Sequence, residues 1–248
     1  MGNMNNVNRA GKFTSSMVYK LIKEGRGKND VFSAPGLTYI EEKGIERKMQ
    51  SCLDGGAHTQ TLAWGNFMEL MVYSILGVQY QISSKETTLH SKHGFFWSGS
   101  KDLFTVNNET GEMESIAEIK CYQKKNFALY TDCILKKDIE LFKEQFPKEY
   151  WQIVSNACLE NVEIGEAITY MPYVSEYEEI RQMAEDYNGA DQWKYKFIRD
   201  LPVQDLPFIP DGGHYKNINK FAFIVPQEDK DFLESRILLA EEKIKEYL

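Results

Sequence analysis

The sequence is short of the residues that staple or punctuate a small protein. Its four cysteines, Cys52, Cys121, Cys133 and Cys158, are scattered over 248 residues without a C-x-x-C pair. That excludes a disulfide framework, a zinc ribbon and an iron–sulfur motif, and it predicts reduced thiols in a cytoplasmic protein. The four histidines, His58, His90, His93 and His214, have no metal-ligand spacing. No apolar run approaches the roughly 20 residues that cross a bilayer, so no membrane association is expected. The first twelve residues are polar and Asn-rich, unlike a secretory signal. Positive charge is also scarce, with 29 Lys and Arg against 37 Asp and Glu and a net charge of −8. The balance counts against a protein that coats nucleic acid indiscriminately, because such binding rests on counterion release by basic side chains. It does not exclude a nuclease with a locally basic groove.

What is present is an alternation of helix and strand signals without internal repeats. Thr14-Ser15-Ser16 has the composition of an N-cap for a helix from Met17 to Lys23. Gly25 to Gly36 predicts a basic loop, and Gly25-Arg26-Gly27-Lys28 within it lacks the rest of a phosphate-loop signature. A charged helix is expected from Thr38 to Cys52, stopped by Asp54-Gly55-Gly56, and a more apolar one from Thr61 to Leu76, ended by Gly77. Strands are predicted at Val78–Ile82, Gly94–Trp97, Leu103–Val106 and Ser115–Cys121, with Asn107 to Gly111 joining the last two as a hairpin. Helices at Lys137–Phe146 and Glu149–Leu159 follow, then strands at Ile164–Met171 and Lys220–Val225. A closing helix from Glu228 to Tyr247 carries Phe232, Ile237, Leu238 and Ile244 near one face. Pro172 to Asn219 is irregular, with a helix expected from Glu176 to Tyr187. The expected fold class is α/β (α+β), a central mixed β-sheet flanked by helices in one domain of residues 1–248, decorated around 172–219.

The sharpest chemical feature is Glu118-Ile119-Lys120. On a strand Glu118 and Lys120 project from the same face, because the side-chain period is two. An isolated Glu-x-Lys is commonplace on a solvated strand. Here Asp102 opens the preceding strand, and pairing across the Asn107–Gly111 turn would carry its carboxylate towards Glu118. Two carboxylates and the Ile119 carbonyl form a hard-oxygen set suited to Mg²⁺ or Mn²⁺. A cation there would polarise a phosphoryl oxygen and activate a water, with an ammonium nearby to offset developing negative charge.

Four segments, in order, resemble the lambda exonuclease-type phage recombination nucleases of the PD-(D/E)XK superfamily. They are Arg9 to Ser16 (Arg…Thr-x-Ser), Leu62 to Glu69 (Ala-x-x-Gly-x-x-x-Glu), Asp102 with Glu118-Ile119-Lys120, and Tyr150-Trp151-Gln152-Ile153. The resemblance spans Arg9 to Cys158. It departs from the family around the first acid, where Ser98-Gly99-Ser100-Lys101-Asp102 replaces the usual Ser-Pro-Asp-Gly. It implies a restriction-endonuclease-like core and two Mg²⁺ or Mn²⁺ ions per site. Asp102, Glu118 and the Ile119 carbonyl would be metal ligands, and Glu69 would reach the metal through water. Lys120 would position the attacking water, Gln152 would orient a water or a catalytic side chain, and Arg9 and Ser16 would contact the 5′-phosphate or the DNA backbone.

The implied activity is 5′-to-3′ digestion of one strand of linear duplex DNA from its end, in phage or prophage homologous recombination. The implied partners are double-stranded DNA ends, a single-strand annealing protein, and further copies of the chain in a trimeric ring. The setting would be the cytoplasm of a bacterial or phage-infected host cell. Two alternatives stay open: an endonuclease or structure-specific nuclease of the same fold, and a catalytically inactive binding module. Ser16 also suits a plain helix cap, Lys124 and Lys125 suit either DNA contact or solvent, and Trp64 and Trp151 suit the core.

Overall fold

A computed structural model describes residues 9–28, 30–53, 59–83 and 87–248. The expected stop at Asp54-Gly55-Gly56 and His58 lie outside the described residues.

The chain opens with β1 (Phe13–Thr14), where the N-cap pattern predicted a helix start. Only a 3₁₀ turn, Val18–Leu21, follows, and no side chain caps it. Tertiary pairing has overridden the local signal. The Ser15 amide donates to the Ser98 carbonyl at 3.0 Å, and β1 runs parallel to β4. The Ser15 hydroxyl meets the Ser155 hydroxyl at 2.8 Å instead of capping a helix. Helix α1 (Ala34–Met49) starts four residues earlier than the expected Thr38. Pro35 sits in its first turn, where a missing N–H costs nothing. Helix α2 (Gln60–Leu76) is capped by the Thr59 side chain, which accepts from the Leu62 amide. Gly77 follows it with φ −60°, right-handed rather than the expected left-handed C′ conformation.

Two-residue strands β2 (Gln81–Ile82) and β3 (Thr88–Leu89) precede β4 (Trp97–Gly99). Thus β2 is shorter than predicted, and β4 lies further along than Gly94–Trp97. The predicted hairpin is present as β5 (Leu103–Val106) and β6 (Met113–Lys120), with Leu103 opposite Ala117. Its turn is built as its composition suggests. The Asn107 side chain accepts from the Glu109 and Thr110 amides, and Gly111 takes the left-handed φ of +73°.

Three helices then carry the chain from β6 to its parallel neighbour. They are α3 (Lys124–Ile134), which was not foreseen, α4 (Ile139–Gln145) and α5 (Pro147–Glu160). A parallel pair requires such a long crossover. Strand β7 (Ile164–Tyr170) is followed by α6 (Tyr177–Asp186) and the short α7 (Lys196–Asp200), then β8 (Ile218–Ile224) and α8 (Gln227–Ile244).

The main sheet has the order β2-β5-β6-β7-β8, parallel only between β6 and β7, and β1-β4-β3 form a second sheet. This is the expected mixed sheet flanked by helices. Alternate residues of β6 serve two cores. Ile116 packs with Ile153, Val154 and Ile237, whereas Ala117 and Ile119 pack with Trp64, Phe67 and Met68 of α2. The irregular 172–219 stretch contributes Ile180, Tyr195, Ile198 and Phe208 to the second core. Each such side chain contributes about 1.5–3 kcal/mol when fully buried. Trp64 and Trp151 are core residues, 0% and 2% exposed. The closing helix is rotated from its expected face: Leu233, Ile237, Ala240 and Ile244 are buried, while Phe232 and Leu238 are exposed. No helix among the described residues is long and apolar enough to cross a membrane.

Candidate active site

Strand β6 delivers Glu118 and Lys120 to the same side, and helix α5 crosses that side with Glu149, Gln152 and Asn156 at i, i+3 and i+7 along its inner face.

 Glu118 is 1% exposed. Its Oε2 accepts from the Gln152 Nε2 at 2.6 Å and, more distantly, from the Lys120 Nζ at 3.4 Å. Its Oε1 accepts from the Asn156 Nδ2, which also donates to the Ser100 carbonyl at 3.0 Å. Asn156 therefore ties β6 to the segment that leads into Asp102.

Asp102 stands where β5 has not yet begun. Its Oδ2 accepts from the Ile119 amide at 2.8 Å, so the carboxylate extends the β5–β6 ladder by one rung. Within a strand the N–H and C=O of one residue point to the same side, so the Ile119 carbonyl faces the Asp102 side of β6. The next carbonyl, of Lys120, faces β7 and accepts from the Thr169 hydroxyl at 2.8 Å. Helix α2 closes the end of the strand: a Cβ at Gly65 would stand 3.4 Å from the Cys121 carbonyl oxygen. One turn further along, the half-buried Glu69 acts electrostatically on both Lys120 and Cys121.

The charges of this cluster act on one another. Burial pushes the Glu118 carboxyl well above the ordinary carboxylate range and the Asp102 charge raises it further, against the opposing pull of Lys120 and Asn156. Burial alone would lower the Lys120 ammonium, but Glu118, Asp102, Glu69 and Glu149 together raise it above lysine's usual value. The surrounding carboxylates thus favour the ammonium form of Lys120, which suits orienting a water or offsetting charge better than accepting a proton. Burial, with Asp102, Glu69 and Glu118 around it, also raises the Tyr73 hydroxyl, which places this α2 side chain at the rim of the same cluster.

These residues fit a hard divalent cation. A buried carboxylate and a partly buried one in mutual repulsion are what a cation relieves. Among the described residues no three His, Cys, Asp or Glu side chains converge on one point. Asp102 and Glu118 would therefore hold the ion with the Ile119 carbonyl and waters, Glu69 acting from farther off, which is the arrangement Mg²⁺ favours over a cage of side chains. When bound, the ion supplies Lewis-acid polarisation of a phosphoryl oxygen.

Arg9 and Ser16 line a common pocket of about 310 Å³ together with Lys43 and Tyr39. Its entrance segment is clasped by α1. The Glu46 carboxylate accepts from the Gly11 amide at 2.8 Å, and the Arg47 Nε donates to the Gly11 carbonyl at 2.9 Å. Gly11 has φ +69°, and a Cβ there would fall 2.4 Å from the Arg47 Cγ, so glycine is required at this turn. Thr14 and Ser16 border the pocket while the intervening Ser15 turns towards Ser155, the alternation of an extended segment.

All eight expected site residues thus fall into two neighbouring groups: Asp102, Glu118, Ile119, Lys120, Glu69 and Gln152 at the end of β6, and Arg9 with Ser16 beside β1. Asn156, Glu149 and Tyr73 were not foreseen. A signal for the first two existed in their spacing from Gln152 on one helix face. Asn156→Ala is expected to weaken Mg²⁺ binding about 10- to 100-fold, the usual cost of losing a group that orients a metal ligand, and Mg²⁺ titration followed by calorimetry measures it.

No family model matches the chain, and no curated protein sequence matches it. Solved structures do. An alkaline exonuclease from Laribacter hongkongensis, in its complex with dAMP, superposes with a TM-score of 0.60 at 13% identity, covering 97% of this chain and 91% of its own. A second structure of the same exonuclease gives a TM-score of 0.56 at 13% identity, with 96% and 91% covered. A phage-related exonuclease from Haemophilus somnus 129PT gives 0.58 at 14% identity, with 95% and 94% covered. The chain has the fold of these exonucleases over nearly its full described length.

Proposed function

We propose that the protein is a metal-dependent deoxyribonuclease that digests one strand of linear duplex DNA from its 5′ end. The observation that carries this reading is the carboxylate pair of buried Glu118 and half-buried Asp102, held beside the Lys120 ammonium in a fold shared with exonucleases. In this mechanism Gln152 and Asn156 fix the Glu118 carboxylate in one orientation, so that it is aligned before substrate arrives. The Asp102 carboxylate is fixed by the Ile119 amide. The Lys120 ammonium orients the attacking water and stabilises the negative charge that develops on the phosphate. Mg²⁺ is the proposed ion, with Mn²⁺ able to replace it and two ions per site during turnover.

The end preference rests on Arg9 and Ser16. Their shared pocket offers a guanidinium for bidentate contact with a terminal phosphate and a hydroxyl. Of its acids, Glu46 is already engaged by the Gly11 amide and Lys43, while Glu42 remains in the lining. The broader setting, carried by the sequence resemblance, is phage or prophage recombination in the bacterial cytoplasm. The proposed partners are a single-strand annealing protein and further copies of the chain in a ring of three around the DNA.

The test is digestion of linear duplexes that carry either a 5′-phosphate or a 5′-hydroxyl, with closed circular DNA as a control. The expected result is Mg²⁺-dependent loss of the phosphorylated strand, stopped by EDTA. Arg9→Ala should lower the preference for the 5′-phosphate by about tenfold or more, the scale of a charge-assisted contact. Equal cleavage of circular DNA would make the protein an endonuclease. A folded protein that cuts neither substrate with either ion would be a binding module.

A further inference from the structure

A second pocket, of about 440 Å³, lies on the α2 side of the sheet and shares no lining residue with the Arg9 pocket. One wall is the first turns of α2, with Gln60, Ala63 and Asn66. The other is the 3₁₀ turn Gln192–Tyr195 and α7, which bring Trp193, Lys194 and Lys196. This wall is anchored from beneath. Tyr195 is 6% exposed and packs its ring 5.0 Å from Phe67 of α2, and Ile198 is fully buried. Trp193, by contrast, is 54% exposed, with Lys194 5.8 Å from its ring centre. The other three tryptophans, Trp64, Trp97 and Trp151, are no more than 2% exposed.

Helix α2 borders both the pocket and the end of β6, where Gly65 approaches the Cys121 carbonyl. Asn66 and Glu69 are one turn apart on α2, and the Glu69 charge acts both on Lys120 in the cluster and on Tyr195 beneath the pocket wall. From Ala63 to Glu69 the helix rises about 9 Å, at roughly 1.5 Å per residue, a distance that a few nucleotides of one strand span. The lining holds an exposed aromatic, amides at Gln60 and Asn66, and two lysines, Lys196 and a Lys194 that also pairs with Asp191 at 3.6 Å. Together these outweigh the single acid Asp200 in the lining and suit unpaired nucleotides, whose bases stack while their phosphates are neutralised. Duplex DNA hides its base faces in the stack.

We propose that this pocket is a single-stranded DNA subsite. A base of the strand that enters the Asp102–Glu118 centre stacks on Trp193, and Lys194 and Lys196 neutralise the adjoining phosphates. The strand's destination rests on the nuclease reading; the binding of single-stranded DNA does not.

Trp193 is its own reporter. A short oligodeoxythymidylate titrated into the protein in EDTA, where no cleavage proceeds, should quench tryptophan fluorescence, and a duplex of equal length should quench it far less. Trp193→Ala should weaken binding about ten- to hundred-fold. Trp193→Phe should abolish the quench while retaining most of the affinity, and Lys196→Glu should flatten the salt dependence. Unchanged oligonucleotide affinity in Trp193→Ala, or equal quenching by the duplex, would overturn the proposal. Digestion assays on the wild-type protein separate the two ideas. Trp193-dependent binding without metal-dependent cleavage would sink the nuclease reading alone, and cleavage with Trp193-independent binding would sink the subsite alone.

Discussion

Replacing Lys120 by Ala should cut the rate of DNA cleavage by about a thousandfold while leaving the protein folded and able to bind Mg²⁺. The size follows from losing one preorganised cation at the developing charge, which is worth about 10²- to 10³-fold for a single donor and more where the group also orients the water. The fold should survive because Glu118 keeps its stronger partners, Gln152 at 2.6 Å and Asn156, whereas its contact with Lys120 is 3.4 Å long. Single-turnover digestion of a labelled duplex measures the loss, and the melting temperature checks the fold. A variant that retained a tenth of the wild-type rate would remove Lys120 from the chemistry.

The second large effect is on stability and has opposite signs with and without metal. In the metal-free protein the buried Glu118 carboxylate is disfavoured by burial and by Asp102. Glu118→Gln removes that cost, and rotation of the Gln152 amide can satisfy the new side chain's extra donor. The metal-free variant should therefore melt at or above the wild-type temperature. Saturating Mg²⁺ should then stabilise the wild type by about 2.7 kcal/mol at a hundred times Kd, roughly 5–10 °C for a domain of this size. The variant should gain almost nothing. Thermal unfolding of both proteins across a Mg²⁺ series tests the pair of signs together. A variant that melted well below the wild type without metal would mean that Glu118 is a structural partner of α5 and not a metal ligand.

The parts of the site that the sequence disclosed are those set by local geometry. The period of two along a strand was sufficient to put Glu118 and Lys120 together, and the Asn107–Gly111 turn was sufficient to set Asp102 opposite. Gln152 was legible only through the family resemblance. Asn156 was legible only as a position on the Gln152 face of the helix, because its amide is indistinguishable by composition from a surface residue until the strand it clamps is known. Tyr73 has the same difficulty: aromatic residues on an apolar helix ordinarily read as core. The misread start at Thr14-Ser15-Ser16 shows the limit of local rules. Small hydroxyl residues satisfy a helix N-terminus and a ladder equally well, and a partner 83 residues away decided the matter. The helix α3 was missed since Lys124, Lys125 and Asn126 hide its apolar positions, Phe127, Tyr130 and Ile134, behind a polar first turn.

The metal centre is the claim on which the catalytic account depends, and a crystal of the protein soaked in Mn²⁺ addresses it most directly. The account predicts an anomalous difference peak within bonding distance of the Asp102 and Glu118 carboxylates and of the Ile119 carbonyl oxygen. A fully occupied Mn²⁺ peak elsewhere, with the Asp102–Ile119 and Glu118–Gln152 hydrogen bonds unchanged, would contradict it.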